Sequence, residues 1–264
     1  LLFAYFNLPG PAPREDVQLG MTFSARYATD LGLDWRETYL AHLHELGVKQ
    51  LRLPVYWDLV EREQGKRDYA DLDWQIAEAE KAGAEIILSI GQRVPRWPEC
   101  HDPGWARAMP KKEWEPKLYD FITLTVNRYK NNPALSTYQL ENEFFMEVFG
   151  DCPDFDRERL VREFNLVKSL DPAHPVMISR SNNWIGIPVG KPTPDQFGIS
   201  VYKRVWDTTI TKRYYEYPLP ARFYSFLAGA GEIVTGKSMV IHELQSEPWL
   251  PSGNLSDGNL REQY

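Results

Sequence analysis

The chain lacks several features that would assign it to a common functional class. Its five histidines, in 264 residues, are scattered at spacings that match no zinc or other metal-ligand set. The 30 basic and 37 acidic residues give a net charge of −7, so no basic surface indicates a nucleic-acid partner. No predicted strand is followed by a glycine-rich phosphate turn, and no serine lies in a nucleophile-elbow context. We therefore expect no metal, no cofactor and no nucleic acid.

Long apolar runs are also few. The opening stretch, LLFAYFNLPGPAPRED, is too short to span a bilayer. We interpret residues 1–18 as a linker that follows a signal or membrane anchor, and residues 19–264 as one domain. This interpretation predicts an extracytoplasmic protein, secreted or membrane-anchored. The alternative is that the apolar segment packs on the folded domain.

From Leu19 onward, short apolar runs alternate with amphipathic stretches. Continuous apolar runs are typical of buried parallel strands, and stretches such as DLDWQIAEAEKAG are typical of helices that end at glycine. Seven strands are predicted: LGMTFS, QLRLPVYW, EIILSIG, ALSTYQLENEF, PVMISRS, QFGISVY and SMVIHELQ. The alternation fits a doubly wound sheet or a (β/α)8 TIM barrel, and the absence of a phosphate turn favours the barrel. No eighth strand follows SMVIHELQ, so the eighth βα unit is expected to be missing from this sequence.

Catalytic side chains of such a barrel come from the C-terminal ends of its strands. The polar residues at the predicted ends are Arg52, Gln92, Arg93, Glu141, Asn142, Glu143, Asn182, Asn183, Tyr202, His242, Glu243 and Gln245. Two carboxylates on different strands suit glycosidic bond cleavage, in which one protonates the leaving oxygen while the other attacks the anomeric carbon or activates water. Retention of configuration requires a separation of about 5–5.5 Å, and inversion about 6.5–9.5 Å.

Four segments of the sequence, RLPVYW, LENEF, SVY and HELQ, together resemble the retaining glycoside hydrolases of clan A. This TIM-barrel group includes families 5, 35 and 42. The resemblance implies that Glu143 is the acid/base and Glu243 the nucleophile, with Asn142 binding a sugar hydroxyl. It also implies that Arg52 keeps the nucleophile ionised and that Tyr202 hydrogen-bonds it. The expected activity is hydrolysis of a β-linked oligo- or polysaccharide through a covalent glycosyl-enzyme intermediate.

Further substrate contacts are predicted from aromatic and polar residues near the strand ends. Tryptophan rings there could stack on sugar faces. The predicted substrate contacts are Trp57, Trp97, Trp184, Trp206, Trp249, Gln92, Gln245 and Glu247. Glu141 shares the strand parity of Glu143 and is expected one layer deeper as its support, whereas His242 is expected in the barrel–helix layer.

Two other functional interpretations stay open. A carbohydrate-binding protein could keep the barrel and the aromatic cleft without turnover, and a metal-dependent lyase or isomerase would need carboxylates and histidines that converge on an ion. The two cysteines, Cys100 and Cys152, can form one disulfide or remain unrelated thiols. They follow the third and fourth strands, which are neighbours in a barrel, so a disulfide is plausible and would indicate an oxidising compartment.

Overall fold

A computed structural model of the chain describes residues 5–6, 8, 18–147, 150–152, 154–180, 189–202, 204–206, 211–216 and 219–245. These residues form two compact units. The larger contains the described residues of Asp16–Ser179 and Gly190–Asp195, and the smaller contains those of Leu1–Glu15, Arg180–Val189 and Gln196–Tyr264. No helix among the described residues is long and apolar enough to cross a membrane.

Strands and helices alternate along the chain. The strands are β1 (Gly20–Thr22), β2 (Gln50–Pro54), β3 (Glu85–Ile90), β4 (Leu135–Leu140), β5 (Val176–Arg180), β6 (Gln196–Tyr202), β7 (Arg204–Trp206), β8 (Tyr214–Glu216) and β9 (Ser238–Gln245). The helices are α1 (Ala25–Asp30), α2 (Trp35–His44), α3 (Trp57–Val60), α4 (Ala70–Lys81), α5 (Gly104–Arg107), α6 (Lys111–Tyr129), α7 (Arg157–Leu170) and α8 (Ala221–Thr235).

Local sequence signals fix the ends of several helices. The Asp34 carboxylate accepts hydrogen bonds from the first free backbone N–H groups of α2, and Asp156 does the same for α7. Gly236, directly after α8, adopts the left-handed conformation with φ of 67°, which glycine tolerates without steric cost. These ends lie where capping rules predict them.

In the larger unit, β1 to β5 pair in parallel, each with the next strand along the chain. Every residue of β5 and nearly all of β2 are buried, as expected for strands covered on both faces. The register aligns Pro54 with Ser89 and Ile90 with Leu140. The C-terminal ends of β2, β3 and β4 therefore lie at one edge of the sheet, and their polar residues come together there.

In the smaller unit, β6 pairs in parallel with β9, and Tyr202 lies opposite Gln245. The register shifts between Ile199 and Ser200, so one strand carries an extra residue at that point. The three-residue strands β7 and β8 pair antiparallel as a separate ribbon. The seven predicted strands thus correspond to β1–β6 and β9, while the ribbon and the short helices α1, α3 and α5 were not predicted.

One predicted strand ends earlier than its sequence indicates. The run ALSTYQLENEF was expected to be extended to Phe144, but β4 ends at Leu140. Glu141 and Glu143 follow with φ of 53° and 42°, which are conformations that a strand does not contain. The predicted strand parity of these two glutamates is therefore wrong, because the pleat stops before both of them.

Candidate active site

Hydrogen bonds from neighbouring strands hold the turn that follows β4. The Asn142 N–H donates to the Arg93 carbonyl at 2.7 Å, and the Glu143 N–H donates to Ser179 Oγ on β5 at 2.8 Å. These bonds give the backbone of the turn fixed partners and offset the strain of its left-handed residues. Glu143, the predicted acid/base, is buried in this position.

The Asn142 amide is bonded on both sides. Its Oδ1 accepts from Arg52 Nη2 at 2.7 Å and from Gln139 Nε2 at 2.9 Å. Its Nδ2 donates to Glu99 Oε2 at 2.8 Å. Asn142 and Glu99 are 2% and 3% exposed. The structure thus brings two predicted site residues, Arg52 and Asn142, into direct contact and adds Glu99, which no sequence pattern indicated. The predicted role of Arg52 toward the nucleophile stays a prediction.

Glu141 supports the loop that follows β3. Its carboxylate accepts from the backbone N–H groups of Gln92 at 2.8 Å and Arg93 at 2.9 Å, and from Arg159 Nη1 at 2.9 Å. Arg159 also bonds Glu163 at 2.5 Å. Burial, together with the Glu141 charge, raises the pKa of Glu163 well above its usual value. The Glu141 carboxylate itself accepts three hydrogen bonds from within the protein, which fits a structural role.

Arg93 is a buried cation beside these carboxylates. Its Nε donates to the Asn142 carbonyl at 2.6 Å, whereas Nη1 and Nη2 have no hydrogen-bond partner among the described residues. Burial lowers the pKa of Arg93, and the charges of Glu99, Glu141 and Glu143 oppose that shift. Arg93 thus supplies the positive charge that partly balances three buried glutamates.

The predicted nucleophile lies in the smaller unit. Tyr202 Oη, at the end of β6, donates to Glu243 Oε2 on β9 at 2.5 Å. This contact joins two residues that the resemblance paired. His242 Nε2 lies 3.3 Å from Ser200 Oγ, and its Nδ1 lies 3.6 Å from Glu243 Oε1. The His242 side chain is fully buried, and its predicted place in the barrel–helix layer stays a prediction.

Two predicted substrate contacts, Trp57 and Gln92, are buried within the protein. Trp57 begins α3 and is 0% exposed, with its ring stacked on Phe121 and its Nε1 bonded to Glu61. The prediction that Trp57 stacks on a sugar is wrong, because its ring has no exposed face. Gln92 is also buried, and its Nε2 donates to Asp102 Oδ1 at 2.9 Å. Burial raises the pKa of Asp102 to about 6.

Trp97 is 67% exposed in the loop after β3, and its substrate role stays a prediction. Other predicted site residues lie outside the described residues. They are Trp184, Trp249, Glu247, Asn182 and Asn183. For Trp206 and Gln245 only the backbone is described, in β7 and β9.

A disulfide joins the loops that follow β3 and β4. Cys100 and Cys152 are bonded, with their Cα atoms 5.2 Å apart and a sequence separation of 52. Cys100 directly follows Glu99, so the bridge anchors the segment that contacts Asn142. The sequence WPEC does not indicate that Glu99 points inward, because its contact with Asn142 depends on tertiary structure.

No protein-family model matches the chain. A curated relative, "Probable mannan endo-1,4-beta-mannosidase F" of Aspergillus flavus, is 25% identical over 185 residues, or 60% of this chain and 39% of the relative. The β-galactosidase of Marinomonas ef1 has a TM-score of 0.59 at 13% identity and covers 93% of this chain and 51% of that one. The GH5_18 protein of Streptomyces cattleya, solved with GlcNAc, has a TM-score of 0.52 at 11% identity and covers 66% and 47%.

These comparisons confirm the fold class predicted from the sequence, a TIM-barrel architecture. The strands β1 to β5 of the larger unit are parallel, and so are β6 and β9 of the smaller unit. The comparisons also confirm the resemblance to clan A glycosidases, since the similar proteins are glycoside hydrolases, the enzyme class that the sequence predicts. The chain spans 39% of the length of the curated relative that it matches.

Proposed function

We propose that the protein is a retaining glycoside hydrolase that cleaves β-linked glycans. The observation that carries this proposal is the 2.5 Å hydrogen bond from Tyr202 to Glu243. A hydroxyl that donates to a carboxylate stabilises its ionised form, which is the form that a nucleophile needs. The buried turn that presents Asn142 and Glu143 after β4 supports the complementary acid/base role.

In the proposed reaction, the Glu143 carboxyl protonates the glycosidic oxygen while a Glu243 oxygen attacks the anomeric carbon. The bond to the leaving sugar breaks and an ester bond to Glu243 forms. Glu143, now ionised, then takes a proton from water, whose oxygen attacks the same carbon and releases Glu243. The two displacements restore the original configuration at the anomeric carbon. The proton that Glu143 gives to the leaving sugar is replaced by the proton that it takes from water.

Hydrolysis of a glycan panel tests this proposal. The panel contains aryl β-glycosides and β-mannan, β-glucan, xylan and galactan, with mannan included because the curated relative is named as a mannanase. We expect wild-type activity on at least one substrate, and a loss of about 10²–10⁴-fold in both Glu143→Gln and Glu243→Gln. A folded wild type that binds glycans without cleaving any would favour a carbohydrate-binding function instead.

We further propose an extracytoplasmic location, which the disulfide supports because such bonds persist in oxidising compartments. Thiol labelling of the protein taken directly from its native source tests this. Protected cysteines are expected, and two freely labelled thiols would contradict the proposed location.

A further inference from the structure

We propose that Glu99 is a positioning residue for Asn142. Its carboxylate fixes the Asn142 amide so that this side chain can only donate, and not accept, a hydrogen bond to a bound glycan. The inference rests on the proposed hydrolase function, and it adds a third glutamate to the machinery around Glu143.

The hydrogen bonds of Asn142 determine which polar atoms its side chain can offer to a ligand. An amide oxygen has two lone pairs, and those of Asn142 Oδ1 are occupied by Arg52 and Gln139, both of which are donors there. The amide nitrogen has two hydrogens, one of which goes to Glu99 at 2.8 Å. Among the residues that the structure describes, no acceptor takes the second N–H of Asn142 Nδ2, and this N–H is the side-chain polar group that Asn142 offers to a bound molecule.

Two partners fix the orientation of the amide, because the Arg52 guanidinium can only donate and the Glu99 carboxylate can only accept. A carboxylate cannot donate, so a flipped amide would place two oxygens against each other at Glu99. Such a bond to a charged acceptor is also stronger than a neutral one. Loss of the carboxylate would remove the acceptor that holds the nitrogen end of the amide, and with it the fixed direction of the remaining N–H.

The backbone holds Glu99 in place. Glu99 has φ of 72°, its N–H donates to the Arg96 carbonyl at 2.8 Å, and its own carbonyl accepts from Val94 N–H at 2.9 Å. Gly150 packs against its side chain, since a Cβ on that glycine would lie 2.9 Å from Glu99 Cβ. Cys100 is tied to Cys152 directly afterwards. The carboxylate is thus held rigidly, as a positioning role requires.

The first experiment compares Glu99→Ala with Glu99→Gln, using Glu63→Gln on the exposed surface as the control. Gln retains an acceptor oxygen for Asn142 Nδ2, so we expect it to keep most of the activity, whereas Ala should lower kcat/KM about tenfold or more. The loss should fall mainly on kcat, because bonds to sugar hydroxyls strengthen in the transition state. Equal losses in Ala and Gln would overturn the proposal, because they would assign the effect to charge alone.

A double-mutant cycle tests whether Glu99 acts through Asn142. In an Asn142→Ala background, Glu99→Ala should change kcat/KM by less than about twofold, because the side chain it orients is absent. Full additivity of the two losses would contradict the proposal.

A third variant displaces Glu99 without replacing a polar side chain. Gly150→Ala has to push Glu99 away, and it should reproduce the kinetic effect of Glu99→Ala. Gly65→Ala is the matched control, because Gly65 also has positive φ, 80°, but no atom lies within 4 Å of its added Cβ. An unchanged kcat/KM in folded Gly150→Ala would overturn the proposal.

A failure of the proposed function is distinguishable from a failure of this inference. Should the wild type cleave no glycan, the hydrolase proposal fails, and the same double-mutant cycle is then measured by urea unfolding. Coupling between Glu99 and Asn142 in that assay would support the amide contact, and additive effects would refute it.

Discussion

Removal of the Cys100–Cys152 disulfide should destabilise the protein substantially. The bond closes a loop of 52 residues, and opening it gives the unfolded chain conformational freedom that the cross-link denies it. For a loop of that length, the chain-entropy relation gives a loss of about 14 cal/mol/K, or about 4 kcal/mol at 25 °C. That is a large fraction of the stability of an ordinary domain.

The assay is urea unfolding of wild type and of the Cys100→Ala/Cys152→Ala variant, each with and without reductant. The chain has two cysteines, so the reductant can act on this bond alone. The double variant has no cysteine, so it controls for any other effect of the reductant. We expect reduced wild type and the variant to unfold at similar, lower urea concentrations. Superimposable curves for oxidised and reduced wild type would refute the reasoning.

Three further predictions concern single side chains and their immediate partners. Burial raises the pKa of Asp102 from 3.8 to about 6, so the folded state binds this proton more tightly than the unfolded state does. The stability that comes from this proton is therefore lost as the pH rises from 3.8 to about 6. Asp102→Asn should make the free energy of unfolding in urea less dependent on pH in that range. Arg159→Met leaves Glu141 without its buried cation and should cost about 3–5 kcal/mol in the same assay. Tyr202→Phe removes the hydrogen bond to Glu243 and should lower kcat/KM about ten- to a hundredfold.

Each of these predictions has a contradicting result. Parallel stability profiles for wild type and Asp102→Asn would exclude Asp102 as the source of the pH dependence. The control for Arg159 is Arg162→Met, whose side chain is 44% exposed, and equal losses in both variants would argue against a special role for burial. The control for Tyr202→Phe is Tyr215→Phe, at an exposed tyrosine. An unchanged kcat/KM in Tyr202→Phe would show that Tyr202 does not assist the nucleophile.

The elements that local chemistry determines could be predicted from sequence. The helix DLDWQIAEAEK ends before Gly83, and the apolar runs of β3 and β5 lie in the parallel sheet, because periodicity, capping and chain breaks are local properties. The contact between Tyr202 and Glu243 was also predictable, since the resemblance paired two residues at the ends of strands that prove to be neighbours.

Tertiary contacts determined what could not be predicted. The sequence LENEF reads as strand, but the Glu141 carboxylate binds two backbone N–H groups of the β3 loop and the chain turns at that point. Trp57 follows a strand end, yet it packs on Phe121 of α6, which is distant in sequence. The inward orientation of Glu99 likewise depends on Gly150 and on the disulfide, neither of which is a local signal.

Cleavage through a glycosyl ester on Glu243, as proposed above, is tested most directly by the stereochemistry of the first product. NMR spectra recorded during hydrolysis of the best panel substrate resolve the anomeric proton before mutarotation mixes the two forms. Our account predicts that the β-anomer appears first, with the same configuration as the substrate. Initial release of the α-anomer would show a single displacement by water, and would contradict the assignment of Glu243 as the nucleophile.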